Sequence, residues 1–274
     1  MKYSALLLLF FLSIGVCGQA IKLEGQVLTA QGQKALPYVN IGIRGKNVGT
    51  TTNAQGRFIL VVPPENALDT LSFSAIGYQA HHMAIKQISP AKPMQVKLQE
   101  KAVSLKEVLV RSHKLKRKKL GVTGRLPLVW GSPENIENRD IYEFANLIRV
   151  KAKPSELVSA HFYLASTKLD SALFRINLYR VSDGLPGERL VEKSIVDRLS
   201  AKAGWVSIDL QPYALMLDED FFLGIEYLPA EGADRLAVSL GAKLGGKAYS
   251  RKSSLGTWDT FNGASLSGYV EVWQ

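Results

Sequence analysis

Apolar and polar residues alternate in short runs through most of the chain, and glycine, asparagine and proline separate the runs. In residues 21–29, Ile21, Leu23, Gly25 and Val27 share one parity, the period of a half-buried strand. Gln31-Gly32-Gln33 is a turn, and residues 37–44 then place Val39, Ile41 and Ile43 on one face. Gly45-Lys46-Asn47 turns the chain back into residues 48–52, which are rich in β-branched Thr. Asn53-Ala54-Gln55-Gly56 carries the Asx and glycine signals of another turn. Residues 58–62 read as a nearly continuous apolar strand, stopped by Pro63-Pro64. Residues 71–75, 78–85 and 93–98 complete the set. About seven strands without a helical period between them predict a β-sandwich.

From residue 126 onward the same period continues. Residues 159–165, 174–180, 205–210, 221–227, 236–240 and 269–273 read as strands. Residues 143–150 suit both a strand and a helical turn. Phe174, Ile176 and Leu178 fall on one face, Arg175, Asn177 and Tyr179 on the other. Residues 182–188, SDGLPGE, form a strong turn signal. This region also holds Trp130, Trp205, Trp258 and Trp273, with Trp205 expected in the core.

The chain has 274 residues, 46% of them hydrophobic, which is enough for a real core. Its formal charge of +10 favours anionic surfaces, polysaccharides or nucleic acid as partners. Lys2, a mostly apolar stretch over residues 5–16 and small residues before Gln19 predict a secretory signal peptide. That run is shorter than the ~20 residues a spanning helix needs, and no later segment is apolar enough, so no transmembrane span is expected after cleavage. The single cysteine, Cys17, lies inside the leader. It is either removed with the signal or acylated as a lipoprotein cysteine, although Val16 before it suits a lipobox poorly. The expected location is the periplasm, the periphery of the outer membrane or the cell surface.

Gly25 and Val27, residues 37–43, Gly49-Thr50-Thr51-Thr52, Gly56 with Phe58, and the Ile76-Gly77-Tyr78 corner together resemble a carboxypeptidase-regulatory-like domain. The resemblance implies a transthyretin-like, seven-strand, non-catalytic sandwich of the kind found on exported proteins of Gram-negative bacteria. Residues 174–179, 183–187, 204–210 and 221–226 resemble the jelly-roll domains that follow it in such proteins. The expected fold is therefore all-β: an N-terminal transthyretin-like β-sandwich and a C-terminal jelly-roll-like β-sandwich. The expected division is a signal peptide at 1–18, the first sandwich at 19–100, an extended segment and basic linker at 101–125, and the second sandwich at 126–274.

Ser104, Leu105, Lys106, Glu107, Val108, Leu109, Val110 and Arg111 resemble the segment that follows this domain in TonB-dependent transporters. They would pair with a partner's sheet edge by strand addition, or else pack as the domain's last strand. Too little chain remains for a membrane barrel built from many strands of ~10 residues. Residues 113–119, HKLKRKKL through Leu120, form a basic linker, either a solvated hinge or a contact to an anionic envelope surface. Aromatics do not interleave its charges, so no nucleic-acid partner is expected.

Candidate chemistry is thin. His81 and His82 are adjacent and on a strand point to opposite faces, so they suit one metal ion poorly. Residues 241–248, GAKLGGKA, have the glycine and lysine spacing of a phosphate loop but lack its Ser or Thr and a following helix, and read as a flexible loop. GASLSG at 263–268 is not a nucleophile elbow. Asp218, Glu219 and Asp220 sit in one turn, where solvated acids or weak calcium ligands are expected, not carboxylates facing each other across a cleft. Neither cofactor nor metal is expected.

The stronger candidate is a sugar-binding rim. Trp258, Asp259, Phe261 and Asn262 lie between glycines, with Tyr249 and Arg251 close in sequence. The alternative is that Trp258 and Phe261 pack in the core. The expected function is a non-enzymatic, exported binding or scaffold module for a glycan or an envelope protein. Accessory roles in a TonB-linked transport system, or an unrecognised hydrolase, are the competing readings.

Overall fold

A computed structural model describes residues 19–101, 115–131, 142–150, 154–191, 193–228 and 238–274. The first sandwich is built from β1 (Ile21–Thr29), β2 (Asn40–Gly42), β3 (Gly49–Thr51), β4 (Arg57–Val62), β5 (Thr70–Ser74), β6 (His81–Ala84) and β7 (Met94–Leu98). One sheet has the order β4-β1-β7 and the other β3-β2-β5-β6. Leu23, Val27, Ile41, Phe58, Leu71, Phe73 and Val96 fill the space between them. Phe58 and Phe73 meet edge to face at 5.8 Å across that space.

The seven strands fall where the alternation puts them. β4 differs in one respect: Phe58, Leu60 and Val62 are buried, while Ile59 and Val61 face outward. Its apolar run is thus only half core. β2 is shorter than residues 37–44 because Tyr38 adopts φ 57°, a left-handed turn position that delays the strand. Thr52 Oγ1 braces that turn, donating to the Leu36 carbonyl and accepting from the Val39 amide, each at 2.8 Å.

The second sandwich comprises β8 (Arg117–Gly121), β9 (Trp130–Gly131), β10 (Tyr142–Ile148), β11 (Ser155–Thr167), β12 (Ser171–Ser182), β13 (Leu185–Arg189), β14 (Ile195–Ser200), β15 (Gly204–Asp209), β16 (Met216–Leu217), β17 (Phe221–Leu228), β18 (Val238–Arg251), β19 (Asp259–Leu266) and β20 (Gly268–Trp273). In one layer β15 and β20 flank β11, and β8 closes the edge beside β20. In the other, β12, β17, β10 and β18 are neighbours, with β13 and β14 beyond β12 and β19 beyond β18. The long β18 joins the layers, pairing with β11 near its start and with β10 near its end. Phe162 and Phe174 meet edge to face at 4.9 Å between them, amid Leu164, Ile176, Leu178, Leu223, Ile225 and Val270.

Four local expectations resolve or change. Residues 143–150 are a central strand over most of their length, because β10 finds partners on both sides. The basic residues Arg117, Lys118 and Lys119 belong to β8 and not to a linker, so the second sandwich begins before residue 126. Residues 241–248 lie within β18; Gly245 and Gly246, with φ 91° and 81°, form a bulge in its pairing to β19. No helix follows, so the phosphate-loop geometry is absent there. Trp205 is 40% exposed, because β15 turns Val206 and Ile208 inward and Trp205 outward.

Candidate functional site

The polar face of β12 is not at the surface. Arg175 stands opposite Glu226 on β17, Glu226 opposite Glu143 on β10, and Glu143 opposite Arg251 on β18. Register alone therefore lines up four charged side chains in a row across four strands, in the order plus, minus, minus, plus. All four are buried, and both glutamates have 0% exposure.

The contacts within the row are short. Arg175 grips Glu226 through Nε at 2.9 Å and Nη2 at 2.7 Å, a two-point pairing. Arg251 Nη2 donates to Glu143 Oε2 at 2.6 Å. The two adjacent carboxylates are bridged by Asn177, whose Nδ2 donates to Glu143 Oε1 at 2.7 Å and to Glu226 Oε2 at 3.0 Å. Tyr179 donates its hydroxyl to Glu143 Oε1 at 2.8 Å. Trp258 covers the end of the row, its ring 4.9 Å from the Arg251 guanidinium and edge-on to Tyr179 at 5.6 Å. Asn40 Nδ2, Asn177 Oδ1 and Arg251 Nε stay buried without a partner.

Gly224 makes the row possible. A Cβ there would lie 2.5 Å from Glu143 Oε1 and 2.9 Å from the Tyr179 ring, where the carboxylate and phenol now sit.

Burial alone would raise the pKa of Glu226, but the charge and hydrogen bonds of Arg175, helped by Arg189 and Arg251, outweigh it and hold it below the ordinary 4.5. A depressed carboxylate pKa stabilises the fold above its unfolded value and ceases to do so as pH falls through the folded one. Stability is therefore expected to hold above pH 4.5 and to fall as the pH drops below it, a trend that urea midpoints measured across a pH series would check. Burial pushes the Tyr179 hydroxyl well above its usual range, with Arg251 opposing, so it remains a protonated donor.

The row also reaches the first sandwich. Arg175 Nη1 donates to the Tyr38 carbonyl at 2.7 Å, and Nη2 to Asn40 Oδ1 at 3.0 Å. Beside it, the segment 252–258 presses on the β2–β3 hairpin. The Gly45 amide donates to the Leu255 carbonyl at 3.0 Å, and Thr51 Oγ1 meets Ser254 Oγ at 3.0 Å. The approach is backbone to backbone. A Cβ on Gly49 would stand 2.6 Å from the Ser254 carbonyl oxygen and 2.8 Å from Ser253 Oγ. Ile76 from the first sandwich packs against the core of the second.

Two carboxylates and a phenol that converge out of water invite a hydrolytic reading. Glycoside hydrolysis needs a carboxylic acid kept protonated by a raised pKa, together with room for a sugar. Glu226 is shifted the other way, and both carboxylates are closed over by arginines. The arrangement can hold two sandwiches together; it offers no proton at neutral pH from Glu226.

The proposed sugar rim is not assembled as one surface. Tyr249 is buried against Phe222, with ring centroids 4.7 Å apart, and Arg251 is part of the buried row. Strand alternation sends Asp259 and Phe261 to the face opposite Tyr249 and Arg251, because Asp259 pairs with Ser250 and Phe261 with Ala248. Trp258 packs inward, Asp259 pairs with Lys252 at 3.3 Å, and Phe261 and Asn262 are exposed. Ser104, Leu105, Lys106, Glu107, Val108, Leu109, Val110 and Arg111 lie outside the described residues, as do His113 and the expected signal peptide with Cys17. His82 Nδ1 meets Ser72 Oγ at 2.9 Å while His81 packs on Phe73, so the pair does point apart. Asp220 accepts the Val150 amide at 2.8 Å and Glu219 pairs with Arg180 at 3.1 Å. Glu143 and Glu226 escaped notice in the sequence; their signal was a single acid inside each apolar run, at positions opposite in parity to the core.

The structure defines a double β-sandwich. Its residues 23–110 match the family model described as a CarboxypepD_reg-like domain, so the first sandwich is a domain of that family. Among solved structures, a clostridial cysteine protease, Cwp84, after propeptide cleavage is 11% identical, with a TM-score of 0.45, over 83% of this chain and 51% of that one. The cysteine protease and lectin-like domains of Cwp84, a surface layer associated protein of Clostridium difficile, match at 10% identity and TM-score 0.42, over 83% of this chain and 45% of that one. The infectious bursal disease virus VP2 subviral particle matches at 10% identity and TM-score 0.28, over 92% of this chain and 64% of that one. The chain spans about half the length of the Cwp84 structures, and likenesses this distant carry no functional argument. No curated protein matches. No helix among the described residues is long and apolar enough to cross a membrane.

Proposed function

We propose that the chain is a non-enzymatic binding or scaffold module of the cell envelope, in which two sandwiches act as one rigid body. The observation that carries this reading is the buried charge row: the ionisable groups the fold gathers are spent on one another and on the first sandwich's Tyr38 and Asn40. Such a device fixes the relative position of two sheets and leaves their outer faces for partners. The leader-like N-terminus supports export, and the match to a CarboxypepD_reg-like domain supports a non-catalytic first half.

The test is a panel of envelope glycans and envelope proteins offered to the immobilised chain, in parallel with glycoside and peptide substrates. Retention of a panel member without turnover is expected. Hydrolysis that disappears in Glu226→Gln would overturn the reading, because it would place the buried carboxylate in a reaction.

A further inference from the structure

We propose that the outer face of the β15-β11-β20-β8 layer is a docking surface for an acidic polysaccharide, a chain of carboxylate-bearing sugars. The proposal rests on the reading of the chain as a binding module and supplies its place and ligand class.

Alternation decides what this face displays. With Phe162, Leu164, Val270 and Val272 turned into the core, His161, Tyr163 and Trp273 turn outward on the same side as Tyr269, which is itself buried among them, joined by Trp205 from β15 and by Arg117 and Lys119 from β8. The rings touch in sequence. Tyr163 meets Trp205 edge-on at 5.6 Å, Trp205 meets Tyr269 at 5.2 Å, and His161 stacks on Tyr269 at 4.5 Å. Gly241 lets Tyr163 lie against β18, since a Cβ there would be 2.7 Å from the ring.

Cations sit along this ridge. Arg125 lies 4.3 Å over Tyr163, Lys119 5.1 Å over Tyr269 and Arg117 6.0 Å over Trp273. The basic segment that lacks interleaved aromatics in sequence is interleaved with them in space. Arg117 and Lys119 keep 53% and 55% of their side chains exposed while sharing the carboxylate of Glu271. That pair therefore already seats one carboxylate, the group that a chain of acidic sugars would present.

Charge complementarity selects an anionic ligand. The ring faces select between its kinds. Single-stranded nucleic acid needs open aromatic faces for its bases. Here Tyr163, Tyr269 and Trp273 each have a cation over one face, and Tyr269 has His161 stacked on it as well. What stays open is the ridge of Trp205 flanked by positive charge, which suits the C–H face of a sugar with its carboxylates turned to the arginines and lysine.

The probes are polygalacturonate, the same polymer with its carboxylates methyl-esterified, and oligo-dT, each titrated against the full chain at low and high salt. Polygalacturonate is expected to bind most tightly, to weaken with salt, and to lose affinity when esterified. Trp205→Ala and Arg125→Gln, both at exposed positions, are each expected to weaken it roughly five- to thirtyfold. Near-UV circular dichroism confirms that the variants keep the fold, and Phe261→Ala, on a different part of the molecule, is expected to bind as the parent does. Equal affinity for the esterified polymer, tighter binding of oligo-dT, no binding of polygalacturonate, or indifference to both substitutions would each overturn the proposal. Retention of another glycan or protein in the wider panel would then leave the binding-module reading standing, whereas substrate turnover would remove that reading itself.

Discussion

Glu226→Ala is expected to be the most damaging single substitution in the second sandwich. The change deletes the carboxylate that Arg175 grips at two points and that shares Asn177 with Glu143. Arg175 is 2% exposed, so it would remain as an uncompensated buried charge. Removing one partner of a buried pair in this way costs ~3–5 kcal/mol. The loss should appear as a lower urea midpoint with little change in slope, since the surface exposed on unfolding is unchanged. Replacing both partners together, Arg175→Met with Glu226→Leu, should cost less than Glu226→Ala alone, because no charge is stranded. That ordering separates a charge-balance effect from a mere loss of packing.

Gly49→Val acts on the other side of the seam. The new side chain has no space, because its Cβ would stand 2.6 Å from the Ser254 carbonyl and 2.9 Å from the Ile41 carbonyl. Main-chain atoms on both sides resist, so either β3 distorts or the 252–258 segment lifts away. Overpacking of this kind costs about 1–3 kcal/mol. If the segment lifts, the Gly45 to Leu255 and Thr51 to Ser254 contacts go with it, and the sandwiches lose part of what couples them. Scanning calorimetry should then resolve two overlapping transitions. An unchanged single peak would mean that the strain is absorbed inside β3.

The first sandwich was legible because each of its strands carries its own period and is ended by its own turn residues. Gly56, at φ 71°, is one such position, with a Cβ there lying 2.7 Å from the Val27 carbonyl. The second sandwich was legible as strands but less so as faces. FRINLYR divides correctly into Phe174, Ile176 and Leu178 against Arg175, Asn177 and Tyr179. The alternation does not say what covers the second face, and those residues lie beneath Asn40 and Trp258. What buries them is a second layer contributed from ~135 residues away in the chain, and the alignment of Glu143, Glu226, Arg175 and Arg251 depends on register between four strands. Neither is written in any local window. β8 failed for the opposite reason: RKKLG has no apolar alternation, and its strand state comes from pairing with β20, where Glu271 meets Arg117 and Lys119. The residues of the expected sugar rim are neighbours in sequence, but strand alternation and burial divide them between faces.

The central claim is that a buried row of charge and a glycine seam make the two sandwiches one cooperative body. Calorimetry of the unaltered chain at neutral pH tests it most directly. A single transition, with calorimetric and van't Hoff enthalpies in agreement, is the expected result. Two separable transitions, with that of the first sandwich unmoved by Glu226→Ala in the second, would contradict it.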